Sequence, residues 1–286
     1  MLKLSPTLRY LIAVVIYGTI GLFLHFTSCA SEFVVICRGF IGSLFIGLVM
    51  LIKHDLPDLK AIKKNLGMLV MSGVALGLNW VFLFAGYKYG VAVSSLFNYL
   101  APVIVVVISA IFLRIKLSDK QIICVICALI GVVLVSGVFE SQNIVDIHCV
   151  VYGLAAAIGF VVLVLCNKNI KKIKPLDKTI VQLFVSAITV LPHVIMNNSF
   201  PKTIDTTTLI IVLILGVVHT GVAYILYFNS IDVLNSDKIA ILGYIEPVLS
   251  ILTGALIFKE KLSLFGIIGA IMILASALLN ELLANK

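Results

Sequence analysis

The chain has 286 residues, of which 62% are hydrophobic and only 12% are charged. This leaves too little polar material to cover a soluble globular protein. The apolar runs are long and continuous, which predicts an all-α integral membrane protein. The net charge of +8 does not require nucleic acid as a partner, because basic loops facing an anionic membrane surface give the same total.

Ten apolar segments predict ten transmembrane helices. The first, from Tyr10 to Phe26, is longer than the apolar core of most signal peptides, and more segments follow, so we interpret it as an uncleaved span. At about 1.5 Å per residue, some twenty residues cross a hydrocarbon core of about 30 Å. The predicted spans are 8–26, 32–52, 66–86, 91–113, 120–138, 147–167, 179–197, 208–230, 238–258 and 263–283.

The basic residues predict the orientation of these spans. With a cytoplasmic N-terminus, sixteen lysines and arginines lie in cytoplasmic segments and four on the opposite side. This is a strong positive-inside bias, so we expect a multi-pass protein of the cell (inner) membrane with both termini in the cytoplasm. The cytoplasmic set is Lys3, Arg9, Lys53, Lys60, Lys63, Lys64, Arg114, Lys116, Lys120, Lys168, Lys171, Lys172, Lys174, Lys178, Lys238 and Lys286; the opposite set is Lys88, Lys202, Lys259 and Lys261.

An internal repeat divides the chain. A shift of 145 residues aligns 91–117 with 236–262 without a gap and places Tyr99 on Tyr244 and Pro102 on Pro247. The sequence therefore predicts two repeats, 1–140 and 146–286, of five spans each. Because five is odd, the second repeat enters the membrane from the opposite side. Such inverted repeats are typical of alternating-access transporters, with a central cavity between the halves.

The second repeat resembles a known family. The run Y-I-L-Y-F-N-S-I-D-V-L-N-S-D-K-I-A-I-L-G-Y-I-E-P-V-L-S-I-L-T-G-A-L-I-F-K-E-K-L-S is similar to the EamA-type transporters of the drug/metabolite transporter superfamily, and L-A-P-V with F-L-R-I-K-L-S in the first repeat looks like the same domain. One position departs from the family pattern, since Ile115 stands where Glu260 keeps an acid. The resemblance implies a ten-helix carrier that exports small metabolites, often amino acids, in exchange for protons.

Three ionisable residues inside the spans are candidates for that chemistry. Glu246 could bind a cation or take up the coupling proton, and its alternative is a structural bond to a neighbouring tyrosine; the sequence favours the first. Arg38 could bind a substrate carboxylate through its planar fork, but a structural role is favoured, in which it reaches the non-cytoplasmic surface or joins helix ends. His219 could relay protons, and a simple hydrogen bond to a neighbour is the competing interpretation.

Polar and aromatic residues at the repeat interface are expected to line the substrate site. These are Asn79, Asn98, Tyr99, Tyr224 and Tyr244, to which Arg38 is added as a possible contributor. Trp80 and Tyr227 are interpreted as ordinary packing or lipid-facing aromatics. Pro102 and Pro247 are the expected hinges, because a proline removes a hydrogen bond from the helix that contains it.

We therefore expect secondary-active transport and no enzymatic activity, with a small-molecule substrate, protons and the lipid bilayer as partners. A Walker-type phosphate loop is absent, so a gradient supplies the energy. No cofactor or metal is expected, and Cys124 and Cys127 are interpreted as small packing residues. The sequence is compatible with either a monomer or a homodimer. The alternatives are a facilitator or importer of a metabolite or nucleotide-sugar, an integral membrane lipid-modifying enzyme, and a non-transporting scaffold.

Overall fold

The structure is a computed structural model and describes residues 4–27, 29–113, 117–135, 145–196, 200–231, 233–234, 236–260 and 263–284. All regular secondary structure in these ranges is helical, which confirms the predicted all-α class. Several residues named in the sequence analysis lie outside the described residues. They are Ile115 and the topology residues Lys3, Arg114, Lys116, Lys261 and Lys286.

The helices follow the apolar runs of the sequence. They are α1 (Pro6–Gly18), α2 (Ile20–His25), α3 (Ser31–Ile52), α4 (Leu59–Lys64), α5 (Leu66–Tyr87), α6 (Val91–Asn98), α7 (Ala101–Leu113), α8 (Asp119–Val135), α9 (Ile147–Asn169), α10 (Pro175–Met196), α11 (Thr206–Gly216), α12 (Ala223–Ile231), α13 (Ser236–Gly243), α14 (Ile245–Leu252) and α15 (Leu264–Ala284). Two π-helical segments, Val217–Val222 and Thr253–Ile257, follow α11 and α14.

Seven helical segments within the described ranges are long and apolar enough to cross a membrane. They are Pro6–His25, Ser31–Ile52, Leu66–Tyr87, Val91–Ile108, Ile147–Asn169, Pro175–Met196 and Thr206–Ile231. Two shorter apolar helices, Ile241–Ile257 and Leu264–Asn280, coincide with the last two predicted spans. The count of ten spans and the arrangement in two repeats stay predictions.

Side-chain caps explain where several helices begin. The Asp205 carboxylate accepts a hydrogen bond from Thr208 N at 3.2 Å at the start of α11, and the hydrogen bonds of Thr208 hold the pKa of Asp205 below its usual value. Asp58 caps α4 in the same way, with Lys60 N as one donor at 3.0 Å. These carboxylates satisfy backbone N–H groups that have no partner within the helix.

The chain forms two compact units, each assembled from two separate stretches. Unit 1 comprises Met1–Val81 and Val162–Leu234, and unit 2 comprises Phe82–Val161 and Asn235–Lys286. Unit 1 takes one stretch from each predicted repeat, whereas the stretch 82–161 of unit 2 runs across the boundary between the repeats. The compact units therefore do not coincide with the repeats read along the sequence.

In unit 1, α10 is the central packing partner. It packs along α3, where a Cβ on Gly39 would lie 2.6 Å from the carbonyl oxygen of Leu183. The Gly73-x-x-x-Gly77 pattern of α5 also faces α10, and a Cβ on Gly77 would lie 2.9 Å from Ser186 O. Only glycine permits such close approach, as is typical of helix contacts in membranes.

In unit 2, α8 and α15 form the most extensive contact. Their backbones meet at Gly131 and Gly269, where an added Cβ on either residue would lie 2.7 or 2.5 Å from the carbonyl oxygen of the other. Ile273 and Ala277 of α15 join Leu96 and Phe97 of α6 in the buried core of this unit. That core holds α6 in place, and α14 packs directly against α6.

Candidate functional site

Two helices of unit 2 are interrupted at matching positions. The first interruption separates α6 from α7 and the second separates α13 from α14, and the last residues before them, Asn98 and Gly243, are 145 residues apart, as in the sequence repeat. Pro102 and Pro247 explain the breaks, since each lacks the N–H that would bond the carbonyl four residues earlier. Whether the two prolines act as hinges stays a prediction.

A tyrosine stands at each interruption in nearly the same backbone conformation. Tyr99 has φ −73° and ψ 1°, and Tyr244 has φ −71° and ψ −4°. The Tyr99 hydroxyl donates a hydrogen bond to Glu246 Oε1 at 3.0 Å. Tyr244 packs against the apolar core of unit 2, and Asn98 is half-buried at the end of α6. The structure thus joins two of the predicted site residues, Tyr99 and Glu246, directly.

Arg38 lies in the interior of unit 1. Its side chain is only 1% exposed. Arg38 Nε donates to Thr220 Oγ1 at 3.1 Å, and the guanidinium carbon lies 4.1 Å from the centre of the Trp80 ring. Thr220 belongs to the first π-helical segment and donates its own hydroxyl to Leu215 O at 2.8 Å. A π-helical turn inside an α-helix often marks a functional position.

His219 precedes Thr220 in the same π-helical segment. Its side chain contacts the break between α1 and α2. Its Nε2 lies 3.1 Å from Thr19 Oγ1, and its ring meets Phe23 edge to face at 4.8 Å. The other ring nitrogen, Nδ1, lies 3.4 Å from Ile214 O, and the tautomer of the imidazole sets which of the two nitrogens donates. Both the hydrogen bond and the burial of His219 at 3% exposure fix the ring orientation.

The remaining predicted residues of unit 1 are Asn79 and Tyr224. Asn79 is buried in α5, at 3% exposure. Tyr224 is half-buried in α12, where its ring lies 5.6 Å from that of Tyr17 in an edge-on contact. Tyr227, interpreted from sequence as packing or lipid-facing, meets the Tyr10 ring in a tilted contact at 5.4 Å and the Tyr17 ring edge-on at 6.2 Å.

The candidate residues are therefore divided between the two units. Unit 1 contains Arg38, Asn79, His219 and Tyr224, and unit 2 contains Asn98, Tyr99, Pro102, Tyr244, Glu246 and Pro247.

Sequence reasoning missed several partners. Thr19, Thr220 and Tyr17 carried no motif, and Trp80 was set aside as packing although it contacts the Arg38 guanidinium. Glu260 was noted only for its family pattern. In the structure, its two carboxylate oxygens accept hydrogen bonds from Val91 N at 2.7 Å and Ala92 N at 2.9 Å. Glu260 thereby caps the N-terminus of α6. The acid before the K-L-S step was the only available signal for this contact.

A small cavity of about 200 Å³ lies at one end of unit 1. It contains an ion pair between Lys174 and Asp55, and the hydrogen bond to Asp55 raises the pKa of Lys174. The other lining residues are Pro175, Leu176, Phe228 and Asn229. None of the predicted site residues lines it.

No three His, Cys, Asp or Glu side chains come together as a metal-binding group within the described ranges. Cys124 is buried and Cys127 is half-buried, and both are free thiols.

These features define the class of protein. Helices of membrane-spanning length and apolar composition make the chain a multi-pass membrane protein. A solved crystal structure matches it with a TM-score of 0.66 at 19% identity, covering 99% of this chain and all of the other, which shows a shared fold.

The family follows from sequence comparison. The EamA-like transporter family matches residues 7–137 and again residues 147–282, so the chain belongs to this family of membrane transporters. An uncharacterized transporter of Bacillus subtilis, YxxF, is 27% identical over 97% of this chain and 90% of its own. Protein PecM of Dickeya dadantii is 24% identical over 82% and 79%, and an uncharacterized transporter of Archaeoglobus fulgidus is 27% identical over 94% and 93%.

Proposed function

We propose that the chain is a secondary-active carrier that exports a small metabolite, such as an amino acid, in exchange for protons by alternating access. The observation that carries this proposal is the Tyr99–Glu246 hydrogen bond between two interrupted helices. Interrupted helices related by an internal repeat are typical of the ion and substrate sites of secondary transporters.

Glu246 is the proposed proton carrier. As a carboxylate it accepts the hydrogen bond of Tyr99, and hydrogen bonds to a charged group are roughly twice as strong as those between neutral groups. Protonation removes the charge and weakens this bond between the first turn of α14 and the end of α6. The state of one carboxyl group thereby alters the contact between two helices that are already interrupted.

The interruptions provide the proposed movement. At Pro102 and Pro247 the helices lack a backbone hydrogen bond, so the segments on either side can change angle without breaking another one. In the proposed inverted arrangement of the repeats 1–140 and 146–286, the same change at both prolines would exchange the two open states. The proposed location is the cell membrane, with both termini in the cytoplasm.

Transport in proteoliposomes tests the proposal. A thermal-stability screen against amino acids, purines, nucleosides and nucleotide-sugars first identifies a ligand, and its flux is then measured with and without a pH gradient. We expect the wild-type flux to respond to the gradient. Glu246→Gln should abolish that response but retain ligand-for-ligand exchange, because a neutral amide cannot exchange a proton.

Matched variants separate this role from general damage. Tyr99→Phe should weaken the response to pH, because it removes the donor to the carboxylate. Glu32→Gln changes another acid, 3.8 Å from His193 Nε2 in unit 1, and should leave the response intact. A Glu246→Gln protein whose flux follows the gradient like the wild type would overturn the coupling role, and stabilisation by nucleotide-sugars alone would favour the facilitator.

A further inference from the structure

Two lysine-rich connections lie side by side at one end of unit 1. One, residues 53–65, joins α3 to α5, and the other, residues 168–174, covers the end of α9 and the approach to α10. Asn65 Nδ2 donates to Lys171 O at 3.1 Å, and Lys171 N donates back to Asn65 Oδ1 at 3.2 Å. The ion pair of Lys174 with Asp55 adds a third link. We refer to the exposed lysines of these connections as the lysine platform.

The platform carries a large excess of positive charge. Three aspartates lie nearby, and each is already engaged: Asp55 pairs with Lys174, Asp58 caps α4, and the buried Asp177 accepts from Asp58 N at 3.0 Å. Apart from Lys174, none of the platform lysines forms an ion pair with any residue that the structure describes. All eight are exposed: Lys53, Lys60, Lys63, Lys64, Lys168, Lys171, Lys172 and Lys174.

Exposed apolar side chains accompany this charge. Ile52 is 76% exposed, Leu56 61% and Leu59 74%, and all three lie within or beside the first connection. Ile52 is the last residue of α3, a helix long and apolar enough to span a membrane, and Leu56 and Leu59 follow it within seven residues. Lysines interleaved with exposed aliphatic residues at the end of a span match the boundary between headgroups and acyl chains.

We propose that the lysine platform binds the headgroups of anionic phospholipids. Clusters of four to eight basic residues next to a transmembrane helix are a typical binding surface for anionic lipid. The hydrogen bonds between Asn65 and Lys171 join the two connections into a single surface. Several headgroups can therefore contact lysines of both connections at once. The exposed aliphatic side chains favour a lipid over a soluble polyanion, because they would insert among its acyl chains.

The test compares the thermal stability of the full chain in nanodiscs of phosphatidylcholine alone and of phosphatidylcholine mixed with phosphatidylglycerol. Phosphatidylglycerol should raise the melting temperature of the wild type, and high salt should reduce that rise because it screens the charges. The triple variant Lys63→Gln, Lys64→Gln, Lys172→Gln should lose at least half of the rise. It keeps the backbone bonds of Lys171 and the ion pair of Lys174.

A charge-matched control is the triple variant Lys88→Gln, Lys202→Gln, Lys259→Gln, which should keep the full rise. Inorganic phosphate added to phosphatidylcholine nanodiscs should not reproduce it. Native mass spectrometry should count fewer retained phosphatidylglycerol molecules on the platform variant than on the control. Equal losses in the two triple variants, an effect reproduced by phosphate, or a wild type that does not respond to phosphatidylglycerol or salt would each overturn the proposal.

Discussion

At the scale of single residues, the interior of unit 1 is notable for a buried cation. Arg38 donates a hydrogen bond to the uncharged hydroxyl of Thr220 and lies over the aromatic face of Trp80. A guanidinium over a tryptophan gains cation–π attraction, which is stronger away from water. The favoured sequence interpretation of Arg38, a structural role, stays a prediction.

Thr220→Val tests the stabilising value of this arrangement. Valine keeps the shape of threonine but removes the acceptor of Arg38 Nε, so we expect the free energy of unfolding to fall by about 1–3 kcal/mol. Unfolding in mixed micelles measures it. Thr189→Val is the matched control, since the Thr189 hydroxyl donates to Val185 O within its own helix; it should cost less than about 1 kcal/mol. Equal losses in the two variants would contradict the prediction.

At the scale of secondary-structure elements, unit 2 is organised by helix ends. The carboxylate of Glu260 bonds two N–H groups at the start of α6, and the end of α6 bonds Glu246 through Tyr99. Both ends of an eight-residue helix are thus tied to the segment 245–260. Gly254 is required at this contact, because a Cβ there would lie 2.8 Å from that of Ala92.

Glu260→Gln should weaken the first of these ties. Glutamine has one acceptor oxygen in place of two and no charge to complement the helix N-terminus. We expect a loss of about 1–3 kcal/mol in the free energy of unfolding, measured in mixed micelles. Asp119→Asn, an exposed acid in the first turn of α8, should cost at most about 1 kcal/mol. A loss at Glu260 no larger than this would show that the two hydrogen bonds contribute little.

At the scale of the whole molecule, the chain passes three times between its compact units. Unit 1 uses residues up to Val81 and returns from Val162 to Leu234, and unit 2 takes the remainder. Within unit 1, the hydrogen bonds of Asn65 with Lys171 place two lysine-rich connections at the same end. The positive-inside distribution predicts that this end is cytoplasmic.

Cysteine labelling of intact cells tests that orientation. In a variant without the six native cysteines, single cysteines at Lys60 and Lys172 should react with a membrane-impermeant maleimide only after permeabilisation. Cysteines at Lys88 and Lys202 should react from outside, because they lie in the predicted opposite segments. Labelling of the Lys60 position in sealed cells would contradict the predicted topology.

The sequence predicts some sites of this protein better than others. The pairing of Tyr99 with Tyr244 and of Pro102 with Pro247 predicted equivalent positions, and the structure places helix breaks at both. For Glu246, the sequence predicts a bond to an unspecified neighbouring tyrosine only as the alternative interpretation, and the structure identifies Tyr99 as its partner. Thr19 and Thr220 could not be found from sequence, because a single threonine in an apolar span has no periodic signature.

By itself, the sequence determined the all-helical membrane class and the family, because hydrophobic runs, composition and motifs are local properties of the chain. The tertiary structure decided the membership of the two units and the partners of the polar side chains. Those contacts join residues that are distant in the chain; Arg38 and Thr220, for example, are 182 positions apart. Such pairs depend on which helix faces pack together, and the apolar faces of membrane helices carry little information about their partners.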